Sequence, residues 1–120
     1  MPTDQTIIDK LERADGPCRE MDKEIAVSSG EYVTSRHHPG MLAHKDSPNQ
    51  FGYFFPAYTA SIDAAMTMVP EGWTVTMGWT PEMVSWAHLE STHEIWPGNA
   101  STPALALCIA SLRARSQGGE

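Results

Sequence analysis

The chain lacks the features that would place it in a membrane, outside the cell or on nucleic acid. No run of about 18 apolar residues, the length needed to span a bilayer, occurs among its 120 residues. Residues 1–10 lack the basic and then apolar pattern of a secretory signal, so we expect a cytoplasmic protein. Only two residues are cysteines, and we expect both to be reduced core residues. Eight basic and fifteen acidic residues give a net charge of −7, which disfavours nucleic acid and anionic membranes as partners.

The composition is that of an ordinary globular domain. Hydrophobic residues make up 41% of the chain and charged residues 19%, far from the balance of disordered chains. A chain of this length suits one hydrophobic core. We therefore predict a single domain over residues 1–120, with a long polar loop at 36–52 and a frayed tail at 116–120.

Helical periodicity predicts four helices. Their apolar stripes are Ile7, Ile8 and Leu11; Cys18, Met21, Ile25 and Ala26; Ile62, Ala65, Met66 and Val69; and Leu105, Cys108, Ile109 and Leu112. Thr3, either Thr59 or Ser61, and Thr102 are the predicted N-caps. Thr102 is followed by Pro103, a residue favoured at the first helical position.

Alternation of apolar and polar residues predicts the strands. Residues 31–35 have the composition of a short strand, and residues 73–79 alternate as a half-buried strand does. A turn at 80–82 leads into residues 84–89, the second strand of a hairpin. These elements predict an α+β fold, in which a small antiparallel sheet of three or four strands is packed by about four helices as a three-layer α/β/α sandwich. We expect the last helix to pack on the strand at 73–79.

Motifs for catalysis and cofactor binding are missing from the sequence. It contains neither a Gly-x-Ser-x-Gly elbow nor a glycine-rich phosphate loop, and its cysteines are not closely spaced. We therefore predict no catalytic residue and no cofactor. Acidic pairs such as Asp22 with Glu24 are interpreted as solvated side chains.

Five histidines support the alternative, a small metal-binding module or metal-dependent enzyme. They are His37, His38 and His44 in the predicted loop, and His88 and His93 near the end of the hairpin. His88 and His93 match neither the even spacing of ligands on a strand face nor the three- or four-residue spacing of a helix. The sequence therefore assigns no metal site, and these histidines are the ligands that the alternative would use.

Large apolar side chains are concentrated where the polar loop ends. They are Phe51, Tyr53, Phe54, Phe55 and Tyr58. One interpretation is that they cover the core, and the other is an exposed patch that binds a protein partner or a second copy of the chain. We take Phe51, Tyr53, Phe54 and Phe55 as the candidate binding residues.

Several segments carry a resemblance to a known family. They read PAYTASIDAA at 56–65, VPEGW at 69–73, TPALALCIA at 102–110 and, near the start, LERA at 11–14 followed by GPCREMD at 16–22. In these segments, which extend over nearly the whole chain, the protein resembles the phage ABA sandwich domain family. The resemblance implies a layered α/β/α domain that phages or prophages encode in bacterial cells. It brings no established activity and no catalytic residue.

These observations together predict a non-enzymatic accessory protein that binds another protein or itself. Metal binding through the histidines is the alternative. An acidic mimic of nucleic acid is a third interpretation, but lysines and arginines interrupt the acidic residues over 10–24, so the continuous rows that mimicry requires do not form.

Overall fold

Four helices and five strands make up the described part of the chain. The structure is a computed structural model, and it describes residues 4–34, 37, 40–53, 55–82 and 84–117. In chain order the elements are α1 (Asp4–Arg13), α2 (Arg19–Ser28), β1 (Tyr32–Val33), β2 (Ala43–His44), α3 (Ile62–Met66), β3 (Thr74–Trp79), β4 (Ser85–Glu90), β5 (Ile95–Ala100) and α4 (Pro103–Gln117). Strands β1 and β2 form an antiparallel ribbon, and β3, β4 and β5 form an antiparallel sheet in that order.

The first two predicted helices are confirmed, and each buries its apolar stripe. The buried residues are Ile7, Ile8 and Leu11 in α1, and Met21, Ile25 and Ala26 in α2. Gly30 ends α2 with a φ of 83° while its N–H donates to the carbonyl of Val27. Glycine takes this left-handed conformation without the steric cost of a Cβ. The predicted cap Thr3 lies outside the described residues.

Helix α3 is shorter than its apolar pattern predicts. Ser61 caps it, because its Oγ accepts a hydrogen bond of 3.2 Å from the N–H of Ala64. Ala65 is buried, but Ile62 and Met66 are 44% and 43% exposed. The predicted apolar face is therefore wrong at Ile62 and Met66, since the helix ends after five residues and turns that face partly to solvent.

The predicted hairpin is confirmed as β3 and β4, and β5 completes the sheet. Residues 95–100 carry no strand prediction because Pro97, Gly98 and Asn99 are typical of loops. In the structure, Pro97 and Gly98 pair with His88 and Ala87 of β4. The sheet thus has a third strand that the local composition does not predict.

Helix α4 lies at the centre of the protein. Thr102 is its N-cap, as predicted, with Oγ1 accepting from the N–H of Leu105 at 3.2 Å. Every residue from 104 to 112 is buried, so all sides of this stretch are covered. The helix packs mainly on β5, β4 and α1, and only slightly on β3. The expectation that it packs on the strand at 73–79 is therefore corrected, because β5 occupies the position over which α4 runs.

The α+β class, with small antiparallel sheets packed by four helices, is confirmed. The layers follow the order β3–β4–β5 sheet, α4 and then α1, so α4 rather than the sheet is the middle layer. Ser85, Ala87 and Leu89 of β4 face α4 and are buried, whereas His88 and Glu90 on the opposite face are exposed. The face of the sheet that carries His88 and Glu90 is thus open in the described part of the chain.

The described part of the predicted loop at 36–52, residue 37 and residues 40–52, contains paired segments. Ala43 and His44 form β2, which pairs with β1, and Leu42 forms a further antiparallel bridge with Gly52. Such pairing between distant short segments has no local sequence signal. The predicted tail differs at residues 116 and 117, to which α4 extends, whereas residues 118–120 lie outside the described part of the chain. None of the helices in the described part has the length and apolarity that a bilayer crossing requires.

Candidate functional site

The predicted aromatic patch divides into residues with different environments. Tyr53 is 61% exposed, Phe55 is 5% exposed, Phe51 is half-buried, and Phe54 lies outside the described residues. The guanidinium of Arg19 lies 4.1 Å from the centroid of the Phe55 ring and donates to the carbonyls of Tyr53 and Phe55 at 3.0 and 3.2 Å. Arg19 therefore anchors this segment on α2, and Tyr53 is the member of the patch with a largely exposed side chain.

A buried polar cluster joins the segment at residues 53–59 to α2. Asp22 is 1% exposed, which corrects its interpretation as a solvated residue. Its Oδ1 accepts from both the N–H and the hydroxyl of Thr59 at 2.8 Å, and its Oδ2 lies 3.1 Å from Nη1 of Arg19. The N–H of Cys18 donates to Oγ1 of Thr59 at 2.8 Å. These contacts satisfy the carboxylate within the protein, so the cluster serves to join α2 to residues 53–59.

The four described histidines do not form a metal-binding group. His37 and His93 are exposed, His88 lies on the open face of the sheet, and the ring of His44 packs edge-on against Tyr32 with centroids 5.3 Å apart. His38 lies outside the described residues. No group of three histidine, cysteine, aspartate or glutamate side chains suited to a metal occurs among the residues that the structure describes. The metal hypothesis therefore has no ligand set in this part of the chain.

The outer edge of β3 has free backbone groups. The N–H of Thr80 donates to the carbonyl of Val84 at 2.8 Å, which sets the alternation of the β3–β4 ladder. By that alternation, Val75, Met77 and Trp79 direct their N–H and C=O groups away from β4. These groups make no hydrogen bond to any described residue. An additional strand can therefore pair with β3.

The outer edge of β5 is blocked. The same alternation, set by the N–H of Ser91 donating to the carbonyl of Glu94 at 2.8 Å, turns Pro97 outward. Proline has no N–H to offer, and the carbonyl of Pro97 already accepts a hydrogen bond of 2.8 Å from Arg113. The two edges of the sheet thus differ, and only β3 presents a regular set of unpaired groups among the described strands of this sheet.

The side chains next to the β3 edge are apolar or uncharged. Trp79 is 75% exposed and lies beside Pro103 at the start of α4. On the open face, the indole of Trp86 covers Gly78, since a Cβ on Gly78 would lie 2.7 Å from Cε2 of the indole. No charged residue occurs in β3. Sequence analysis predicted this strand but not its free edge, because the edge depends on which strands become neighbours.

Comparison with known proteins adds no relative. No protein-family model, curated protein or solved structure matches this chain. The assignment of a function therefore depends on the geometry of the chain itself.

Proposed function

We propose that this protein is a non-enzymatic protein-binding module that accepts a β-strand from another chain at the free edge of β3. The observation that carries this proposal is the contrast between the open edge of β3 and the edge of β5 that Pro97 and Arg113 block. In strand addition, main-chain hydrogen bonds supply affinity and alternate side chains supply specificity.

We propose a second copy of this chain as the added strand. Two β3 strands related by a twofold axis at Met77 would pair antiparallel, with Val75 of each copy opposite Trp79 of the other. Opposed residues share a face of the combined sheet, so this register covers the exposed indole of Trp79 with an apolar side chain. Aromatic and β-branched residues are a favourable cross-strand pair, each such pair contributing about 0.2–1 kcal/mol.

The absence of charged residues from β3 favours this pairing over most other contacts between two copies. The chain carries a net charge of −7, so random contacts between copies are repulsive. Strand β3 has the uncharged sequence TVTMGW, and pairing along it brings no like charges into opposition. A single strand pair is small beside the roughly 1,600 Å² of a stable interface, so we expect reversible association at micromolar or higher concentration.

Sedimentation equilibrium of the purified protein, from micromolar to about 1 mM, tests the proposal. The average mass is expected to rise towards that of a dimer. Trp79→Pro removes an outward N–H and the exposed indole, and it should keep the protein monomeric at concentrations where half of the unmodified chain is dimeric. Ile95→Pro removes an outward N–H from the blocked β5 edge and is the matched control, with unchanged association expected. A protein that stays monomeric throughout, or equal loss of association in both variants, contradicts the proposal.

We also propose, from the sequence motifs alone, that this module is an accessory protein of a phage or prophage and acts in a bacterial cell. The genes that flank its own test this assignment. Flanking genes for phage structural or replication proteins are the expected result, and a chromosomal neighbourhood without phage genes in every genome that carries this gene would contradict it.

A further inference from the structure

A pocket of about 460 Å³ lies between the end of α2, the β1–β2 ribbon, the segment after α3 and the last turns of α4. Its lining includes the apolar residues Ile25, Met68 and Val69 and the polar residues Tyr32, Tyr58 and Arg115. Pockets of roughly 300–1,000 Å³ with apolar walls and a few polar groups are typical sites for small molecules. None of the lining residues belongs to β3, so the pocket is independent of the pairing proposed above.

The phenol of Tyr58 lines the pocket as a hydrogen-bond donor. Tyr58 is only 5% exposed, and its hydroxyl makes no hydrogen bond to the residues that the structure describes. Burial, followed by the nearby Tyr32, raises the pKa of Tyr58 to about 12, whereas Arg115 acts in the opposite direction. The phenol is therefore neutral at physiological pH and can donate its proton to an acceptor in the pocket. An oxygen of a ligand that accepts from this hydroxyl would add a hydrogen bond inside the pocket.

Arg115 supplies positive charge beside this phenol. Its Nη2 donates to Oγ of Ser28 at 2.9 Å and lies 3.5 Å from Oδ1 of Asp4. Its Nη1 and Nε donate to no atom of the described chain, so the planar guanidinium retains donors for a ligand. Guanidinium groups bind carboxylates through paired hydrogen bonds, and Arg115 lines the same pocket as Tyr58.

The charges at the rim limit the ligand to a single negative charge. Glu31 lines the pocket, and its carboxylate lies 3.1 Å from Lys45 and 3.5 Å from the ring of His44. Asp4 similarly offsets part of the charge of Arg115. With these carboxylates nearby, a doubly charged phosphate would meet stronger repulsion than a monoanion would.

We propose that this pocket binds a small carboxylic acid with an apolar body. The carboxylate accepts hydrogen bonds from Arg115 and from the hydroxyl of Tyr58. The body of the ligand packs against Ile25 and Met68, where it displaces water from apolar surface.

The test is a titration of the full-length protein with benzoate, followed by heteronuclear NMR. Benzamide, the neutral analogue of the same shape, and inorganic phosphate are titrated in parallel, each to about 10 mM. Benzoate should shift the resonances of residues around Tyr58 and Arg115 and saturate. Benzamide and phosphate should bind at least about tenfold more weakly, because one lacks the charge and the other lacks the apolar body. Absence of benzoate binding, or equal binding of either analogue, overturns the proposal.

Three variants locate the binding. Tyr58→Phe removes one hydroxyl that makes no hydrogen bond to the described residues, so the fold should be retained while benzoate binding falls several-fold. Arg115→Met should lower the affinity about tenfold or more. Arg113→Met, on the same helix but bonded to Pro97 and Glu12 outside the pocket, should leave binding unchanged. If Arg115→Met fails to fold, Tyr58→Phe still decides, since unchanged benzoate affinity in that variant overturns the proposal.

Discussion

The backbones of β5 and α4 approach each other closely at Gly98, and replacing this glycine by alanine tests the layer order of the fold. A Cβ on Gly98 would collide with the carbonyl oxygen of Ala106 and lie 2.7 Å from the backbone nitrogen of Ala110. Both atoms belong to the backbone of α4, so rotation of a side chain cannot relieve the collision. Either the helix or β5 must move.

The expected loss in the free energy of unfolding follows from the distance that α4 must move. Non-bonded heavy atoms pack best at about 3.5–4.0 Å, so Gly98→Ala requires a displacement on the order of 1 Å. Because α4 is buried between the sheet, α1 and α3, such a displacement loosens packing on more than one side. Overpacking of a core costs about 1–3 kcal/mol, and with rigid backbone on both sides we expect about 3 kcal/mol or more. That loss corresponds to a fall in Tm of about 10 °C.

Gly78→Ala is the matched control, measured with Gly98→Ala by urea denaturation. Both glycines lie in strands of one sheet and neither has a positive φ, so alanine reduces the entropy of the unfolded chain equally in both variants. At Gly78 the new Cβ meets the half-buried indole of Trp86, which can rotate away, and we expect a change within about 1 kcal/mol. Equal stability of the two variants would refute the reasoning that strand and helix backbones touch at Gly98.

Three further predictions concern the core. Asp22→Ala should lower the free energy of unfolding by about 3 kcal/mol because it removes the acceptor for two donors of Thr59. A loss below about 1 kcal/mol in denaturant titrations would contradict the role given to this carboxylate. Ile109→Ala should cost about 2–5 kcal/mol in the same assay through the cavity that it leaves, and tolerance of this change would contradict the central position of α4. Burial raises the pKa of the Cys108 thiol from 9.0 to about 12. The folded state therefore holds this proton more tightly than the unfolded chain does. The stability contributed by the protonated thiol is fully present below pH 9 and is lost as the pH rises towards 12. Cys108→Ala should make this loss of stability shallower in melting curves measured across this pH range.

Elements whose signals are local could be predicted from the sequence alone. Helical spacing located α1, α2 and α4, and the pair Thr102-Pro103 located the start of α4, since caps and apolar stripes depend only on near neighbours in the chain. Alternation located β3 and β4 for the same reason. The α+β class followed from these elements. The sequence also drew attention to the aromatic segment 51–58, but it could not separate the exposed Tyr53 from the buried Phe55, because that division depends on Arg19 of α2.

The third strand, the layer order and the candidate site depend on long-range contacts and could not be predicted from the sequence. Pro97 and Gly98 are typical of loops, yet in β5 the missing N–H of Pro97 falls on the outer edge and the missing side chain of Gly98 admits α4. Burial of Asp22 requires Thr59, a residue 37 positions away. The free edge of β3 exists because β4 pairs on one side of it and no described strand pairs on the other. Each of these features depends on contacts between residues that are distant in the sequence. Local sequence patterns do not predict which distant residues will be in contact.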